Sequence, residues 1–323
     1  MHKGPPEEPN PEPSMPATLD AFLAERASDL APSTAQREAA SRSQNFLRDL
    51  LNTGQMGKRI VDSYLIGSYA RHTALHPLDD VDIVFLIDPS AWQSQVGKWL
   101  KVLPDPEKLL QSFARAIRDR YEGSTVRVQT RSVGLKMHHL DIDAVPAVTH
   151  PENPNWIRIP CRGARGWIAT GPKVHSAETT AINKRLGGRF VPLVRLLKAW
   201  NEGQPLTTSL KGFAVETLAT RLFSNVSYSS LVEGLALFFD FVAWRGDLKA
   251  NQKWTSSHGI SFSWPRKLSD TANTGQNLFD SVESDRIERF AESARVVRDV
   301  IDKAQRARTP DAAWDYLDNR FPL

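Results

Sequence analysis

The spacing of apolar positions changes several times along the chain, and each change predicts a new element. Leu19, Phe22 and Leu23 stand at helical spacing and open a first helix. A second follows Pro32, where Ser33 and Gln36 form a capping-box pattern. Its stripe of Ala39, Phe46, Leu47, Leu50 and Leu51 carries it to about Asn52, before Gly54 and Gly57 end it. From Arg59 the period shortens. Ile60-Val61 and Tyr64-Leu65-Ile66 predict a strand that stops at Gly67-Ser68, and Val81 to Ile87 is apolar enough for a strand buried on both faces. A helix over 106–121 leads to three short alternating runs at 125–130, 132–137 and 139–145. Their closeness predicts an antiparallel or mixed sheet rather than a series of βαβ crossovers. Beyond about Pro172 the period is helical, over 176–186, 190–201, 209–223, 229–245, 283–305 and 311–318.

The pattern therefore predicts an α+β half over 17–172 and a helical half over 173–323, with a cleft between them and no internal repeat. The first sixteen residues contain six prolines and few apolar side chains, so they are expected to form a disordered leader. A chain of 323 residues makes one large domain or two modest ones. Charge changes the picture little: 41 Lys and Arg against 37 Asp and Glu leave +4, compatible with a groove that handles phosphates but not a basic nucleic-acid tail. The single cysteine, Cys161, excludes an internal disulfide framework and a Cys-rich zinc site. No apolar run approaches the ~18 residues of a membrane span, and the N-terminus lacks an apolar signal core, so a soluble, cytoplasmic protein is expected.

The candidate chemistry lies in carboxylates. Asp80 and Asp82, two residues apart at the start of an apolar strand, share one face. Two carboxylates that close repel each other unless a cation lies between them. Asp141 and Asp143 repeat the arrangement before Ala144-Val145-Pro146. If the two strands are neighbours, three or four carboxyl groups converge at one end of a sheet. Such an oxygen-rich set suits Mg²⁺ or Mn²⁺ and the two-metal chemistry of phosphoryl and nucleotidyl transfer. Gly67-Ser68, after one strand and before the other, forms a candidate nest for a triphosphate.

Gly67-Ser68 followed by Asp80-Val81-Asp82, with a further Asp on a later strand, resembles the nucleotidyltransferase signature of the polymerase-β-like superfamily. Within it the chain is most similar to the oligoadenylate synthetases, cyclic GMP-AMP synthase and the bacterial cGAS/DncV-like nucleotidyltransferases. Asp143-Ala144-Val145-Pro146-Ala147 resembles their D-V-x-P-A pattern, which implies Asp143 as the third metal ligand and Asp141 as a supporting acid. The run from Pro192 to Asn201 is similar to the family helix that presents a lysine, here Lys198, to the donor triphosphate. Leu193, Leu196, Leu197 and Trp200 form its apolar face, with Lys198 near the edge. Gly212-Phe213 resembles the start of the next family helix and implies base stacking by Phe213. Gly212 stands where the family commonly has Ser or Gln, and Ser209 or Lys211 are the residues placed to compensate. The stretch Asp270 to Leu278 is similar to the D-P-A-D-P-T-G-N run of oligoadenylate synthetases.

The resemblance spans roughly residues 30–300. It implies a polymerase-β-like core with a mixed sheet, a helical domain completing the cleft, and two divalent ions, Mg²⁺ or Mn²⁺, on Asp80, Asp82 and Asp143. It further implies nucleoside triphosphate substrates, ATP among them, and a cyclic di- or trinucleotide product released with pyrophosphate. A regulatory protein partner, a nucleotide-activated effector and a role in anti-phage signalling are part of the same implication. Three other readings remain open: AMP transfer to a protein, antibiotic or RNA end, synthesis of linear oligoadenylate, and an inactive nucleotide-binding scaffold. His72, His76, His138, His139, His150 and His175 lack metal-ligand spacing, so no zinc is expected, and the zinc-bearing DNA-sensing insertion of animal cyclic GMP-AMP synthase has no counterpart. Lys184, Arg185, Arg189 and Arg195 read as a solvated helix margin or as triphosphate-steering charges.

Overall fold

Among the described residues, two helices lead into a seven-stranded mixed sheet, and six more helices follow it. The computed structural model describes residues 18–54, 56–99, 102–121, 125–137, 140–163, 166–245, 253–307 and 309–317. The proline-rich leader, His138, His139 and the final Phe321-Pro322-Leu323 lie outside the described residues. The leading helices are α1 (Leu19–Asp29) and α2 (Thr34–Thr53). The capping box at α2 is formed: Ser33 Oγ accepts from the Gln36 amide at 3.2 Å, and Gln36 Oε1 accepts from the Ser33 amide at 3.1 Å.

The sheet comprises β1 (Ile60–Ile66), β2 (Asp80–Ile87), β3 (Thr125–Val128), β4 (Val133–Lys136), β5 (Asp141–Thr149), β6 (Ile157–Cys161) and β7 (Gly166–Thr170). Its order is β1-β2-β5-β4-β3, with β6 pairing β5 and β7 pairing β6. The pairing of β2 with β5 is parallel and the others are antiparallel. The short helices α3 (Gly67–Ala70) and α4 (Gln95–Trp99) and the longer α5 (Pro106–Arg118) lie in the connections. Alternation along β2 sends Val81, Ile83, Phe85 and Ile87 into a core shared with Leu47 and Leu51 of α2 and Leu109, Leu110, Phe113 and Ile117 of α5. Its opposite face begins with Asp80 and Asp82 and only then turns apolar, with Val84 packing on Val145, Ala147, Ile159 and Ile168.

The helical half consists of α6 (Pro172–Arg185), α7 (Phe190–Glu202), α8 (Gly212–Phe223), α9 (Leu231–Trp244), α10 (Ser284–Gln305) and α11 (Pro310–Leu317), with a small hairpin of β8 (Trp254–Thr255) and β9 (Ser261–Phe262). Trp200, Phe190, Phe223, Phe238, Phe239 and Phe290 are fully buried at its centre. Each such side chain contributes roughly 1.5–3 kcal/mol by leaving water. Leu23, Ala27 and Leu30 join this same cluster, so α1 packs on the helical half although it precedes the sheet in sequence.

Several elements differ from the sequence expectation for identifiable reasons. The strands β6 and β7 have no counterpart in it; Pro160, Gly163 and Gly166 interrupt the local strand pattern, yet both strands pair along their length. Helix α6 starts at Pro172, since proline at the first helical position gives up an amide that no helix uses. Helix α8 starts at Gly212 rather than 209, because the Asn201 side chain ties down the preceding loop, accepting from the Leu210 amide and donating to its carbonyl, each at 2.8 Å.

Candidate active site

Parallel register brings the acidic pairs together. Asp80 stands opposite Asp141 and Asp82 opposite Asp143, so both pairs fall at the same end of the sheet on one face. An antiparallel pairing would have sent them to opposite ends. Asp82 also lies across from Ile66, the last residue of β1, which brings the Gly67 turn against it. Gly67 has φ +73°, and a Cβ there would meet Asp82 Oδ2 at 2.1 Å. Glycine is required at that position by both the backbone angle and the space. Asp143 is oriented from behind, with Gln129 Nε2 donating to Oδ1 at 2.9 Å and Ser132 Oγ donating to Oδ2 at 3.1 Å. Gly134, opposite Asp143 on β4, leaves the room for Gln129; a Cβ there would lie 2.6 Å from its Nε2.

Desolvation and mutual repulsion raise the affinity of these carboxylates for protons. Asp82 is pushed up to about 7, chiefly by desolvation and then by Asp80 and Asp143, with Arg71 opposing. Asp80 is raised by desolvation against the pull of Lys198, and Asp143 by desolvation against its hydrogen bond from Ser132. The Asp141 side chain is exposed, and its amide donates to the Asp79 carbonyl at 2.8 Å.

The turn after β1 is anchored to the helical half. Arg71 Nε donates to Glu216 Oε1 at 2.6 Å and Nη2 to Oε2 at 3.2 Å, with both side chains buried. Thr73 Oγ1 donates to the same carboxylate at 3.0 Å, and the Thr73 amide donates to the Ser68 carbonyl at 2.9 Å. Lys198 is only 8 % exposed instead of lying at a helix margin, because its ammonium turns inward and donates to the Thr73 carbonyl at 2.9 Å. Burial lowers its pKa, while Glu216, Glu202 and Asp80 work in the other direction. Gly212 explains how the stem fits, since a Cβ there would lie 3.0 Å from Lys198 Cε. The glycine that departs from the family pattern thus gives space to the lysine.

Phe213 is half-buried, with the Arg71 guanidinium 5.1 Å from its ring centroid and the His175 ring at 5.2 Å. Ser209 is half-buried, and its carbonyl accepts from Arg286 Nε at 2.7 Å. Lys211 is exposed just before α8. Arg195, a candidate for steering triphosphates, instead uses Nε and Nη2 to hold the His72 carbonyl at 3.1 and 2.9 Å. Asp270 is buried and organises its own loop, accepting from the Thr274 amide and hydroxyl and lying 3.1 Å from His175 Nε2. Arg71, Thr73, Glu216, Gln129, Ser132 and the His175–Asp270 pair were not singled out from sequence. One signal was available: Glu216 is the lone acid in the apolar run of α8, and a buried acid needs a partner.

A divalent cation fits the donor set. The donors are all carboxylate oxygens, which suit Mg²⁺ or Mn²⁺, and their mutual repulsion is what a cation relieves. Among the described residues, no group of three His, Cys, Asp or Glu side chains is already drawn together as an ion cage. The carboxylates form an open set with one member, Asp143, held by neutral donors. Among the same residues, no helix is long and apolar enough to cross a membrane.

Residues 17–183 match the family described as the Second Messenger Oligonucleotide or Dinucleotide Synthetase domain. A cyclic AMP-AMP-AMP synthase of Acinetobacter sp. is 29% identical over 311 residues, covering 91% of this chain and 83% of its own. The solved structure of E. coli MS115-1 CdnC with ATP superimposes with a TM-score of 0.70 at 21% identity, over 94% of this chain and 99% of that one. The same protein in complex with HORMA-deltaN gives 0.70 at 23% identity, over 94% and 97%. At such identities the solved structures speak for the fold, a polymerase-β-like mixed sheet with a helical half. The family match covers just over half of the chain, so the protein belongs to the second-messenger oligonucleotide synthetases, the bacterial CD-NTases, and is a nucleotidyltransferase of the cyclic-oligonucleotide-synthase type.

Proposed function

We propose that the protein joins nucleoside triphosphates, ATP foremost, into a cyclic trinucleotide or dinucleotide with release of pyrophosphate, and that the reaction depends on two Mg²⁺ or Mn²⁺ ions held by Asp80, Asp82 and Asp143. The observation that carries this reading is the parallel register that aligns Asp80 with Asp141 and Asp82 with Asp143 beside the Gly67-Ser68 turn. Ions held there supply acidity to the attacking ribose hydroxyl and neutralise charge on the α-phosphate and the leaving pyrophosphate. The chain's own groups do the rest. Ser68 and the Gly67 backbone grip the β- and γ-phosphates, Lys198 exchanges its Thr73 carbonyl for a phosphate oxygen, and Gln129 and Ser132 fix the rotamer of Asp143. Phe213 and Ser209 line the nucleoside end at the start of α8. In each step a ribose hydroxyl attacks an α-phosphate, the α–β phosphoanhydride bond breaks, and the hydroxyl proton leaves to solvent. Closing the ring requires the linear intermediate to turn so that its own triphosphate becomes the donor.

A trinucleotide of adenylate units is favoured by the relative named as a cyclic AMP-AMP-AMP synthase. The complex of CdnC with HORMA-deltaN supports a regulatory protein partner of that kind here. In this reading the product is a second messenger in the cytoplasm that switches on a nucleotide-activated effector during anti-phage defence. The test is pyrophosphate release from ATP by the purified protein. Release in Mg²⁺ that stops with a chelator and with Asp80→Asn or Asp82→Asn supports the reading. Label retained on a protein or RNA acceptor, with no free oligonucleotide, would replace it with AMP transfer.

A further inference from the structure

A cavity of about 460 Å³ opens in the helical half, against the C-terminal part of α8. Its other walls are Glu178 of α6, Phe241 of α9 and the chain over 262–273 that leaves β9. Asp80, Asp82, Asp143, Ser68, Lys198 and Phe213 do not line it, so it is separate from the carboxylate site. Its volume lies within the range of pockets that hold a small ligand.

The wall carries an acceptor without a donor. Glu178 Oε2 is shielded from solvent and has no hydrogen-bond partner among the described residues. A carboxylate oxygen left in that state is costly, and an N–H brought into the cavity removes the cost. The second acid of the wall, Asp270, is already satisfied by the Thr274 amide and hydroxyl and by His175. It therefore offers nothing further to a ligand.

The same wall carries cations without an anion. Arg221 and Lys267 are exposed and, among the described residues, make no ion pair. Between these charged groups the lining is aromatic and polar. Phe262 is half-buried and presents a ring beside Trp264, while the side chains of Asn225, Ser263, Ser269 and Asn273 make no hydrogen bonds among the described residues. Four kinds of group are thus gathered: a lone carboxylate acceptor, aromatic rings, short hydroxyls and amides, and two free cations.

A nucleotide has a counterpart for each. An exocyclic amine supplies the N–H that the carboxylate lacks, a base stacks on an aromatic ring, ribose hydroxyls match short polar side chains, and a phosphate pairs with Arg and Lys. A cation alone would leave Arg221 and Lys267 unmatched, and an inorganic anion alone would leave Glu178 so. We propose that this cavity is a second nucleotide site, taking an amine-bearing purine nucleotide whose amine donates to Glu178 and whose phosphate is held by Arg221 and Lys267. The site stands on its own residues and does not rest on the function proposed above.

The test is calorimetric titration of the full chain with AMP in the presence of a chelator. Two AMP molecules per chain are expected. One class weakens in Phe213→Ala, and the other weakens at least about tenfold in Lys267→Glu and in Arg221→Glu, both at exposed side chains. Circular dichroism confirms that the variants fold. A single class that responds to Lys267→Glu and Arg221→Glu keeps this site and counts against the nucleotide site at the carboxylates, so the two proposals fail separately. AMP binding that responds to neither variant overturns the cavity site. Two changes in the ligand test the contacts without touching the fold. Adenosine, which lacks the phosphate, and purine riboside 5′-monophosphate, which lacks the amine, are each expected to bind the wild-type site about tenfold more weakly than AMP. In Glu178→Leu the second of these differences should vanish. Adenosine binding as tightly as AMP overturns the role of the two cations, and the amine-free nucleotide binding as tightly as AMP overturns that of Glu178.

Discussion

Arg71 and Glu216 form a buried two-bond ion pair, at 2.6 and 3.2 Å, that ties the turn after β1 to helix α8. One partner belongs to the sheet half and the other to the helical half, and Arg71 also lies over Phe213. Removing one member of such a pair strands the other as a buried charge, whereas replacing both with apolar groups is often tolerated. Glu216→Gln is therefore expected to lose about 3 kcal/mol of stability. The double variant Arg71→Met with Glu216→Leu should recover most of that loss but not the affinity for ATP, because the turn loses its register on α8. Denaturant titration together with KM for ATP checks both halves. Equal loss in the single and double variants would show that the pair holds neither fold nor site.

The tight approach of Gly67 to Asp82 makes a second prediction. Gly67→Ala forces a Cβ to within 2.1 Å of Asp82 Oδ2 at a backbone φ of +73°. The strain is of order 1–3 kcal/mol, small beside global stability, but it falls on the carboxylate itself. Product formation should drop at least about a hundredfold, the scale expected when a catalytic group is moved by an ångström. Thermal denaturation should show the variant still folded.

Proton linkage at Asp82 has a definite sign. Its folded pKa stands near 7 against a reference of 3.8, so between those values the folded form keeps a proton that the unfolded form has lost. Stability of the metal-free protein should fall as pH rises through that window and level off above it, by roughly 2–4 kcal/mol in all. Asp82→Asn should flatten the profile and be the more stable protein at pH 8. Divalent cations need the ionised carboxylate, so Mg²⁺ should raise the melting temperature more at pH 8 than at pH 6. Calorimetric melts across pH, with and without Mg²⁺, measure each of these.

Gly212 and Lys198 supply a fourth prediction. Gly212→Ser puts a Cβ 3.0 Å from Lys198 Cε, close enough to shift the ammonium off the Thr73 carbonyl at little cost to the fold. KM for ATP should rise severalfold with kcat less affected. Lys198→Met should raise KM for ATP and lower kcat, and leave stability unchanged or improved, since a buried charge is removed.

The parts of this account that were legible in sequence are those with a local signature. The capping box of α2, the apolar run of β2 and the two acidic pairs each follow from spacing within a few residues. Register was not local: nothing within 80–82 or 141–143 says that β2 and β5 run parallel, and that alone sets the four acids side by side. The burial of Lys198 was hidden for the same reason. Its apolar neighbours on α7 suggested a margin, but the space it enters is made by Gly212, fourteen positions away, and its acceptor is Thr73. Arg71 and Glu216 lie 145 residues apart, and a long-range ion pair leaves no periodic trace. The helix after Pro172 was expected from 176 rather than 172 because a proline at a helix start looks in sequence like a terminator.

The most direct measurement is mass spectrometry of the products formed by purified protein from ATP, and from ATP with the other triphosphates, in Mg²⁺ or Mn²⁺ after phosphatase treatment. The expected result is a phosphatase-resistant cyclic oligonucleotide, three adenylate units foremost, that disappears in Asp80→Asn, Asp82→Asn and Asp143→Asn. The absence of any resistant oligonucleotide from every mixture, or a product whose yield is unchanged in Asp82→Asn, would contradict the carboxylate-centred synthase described above.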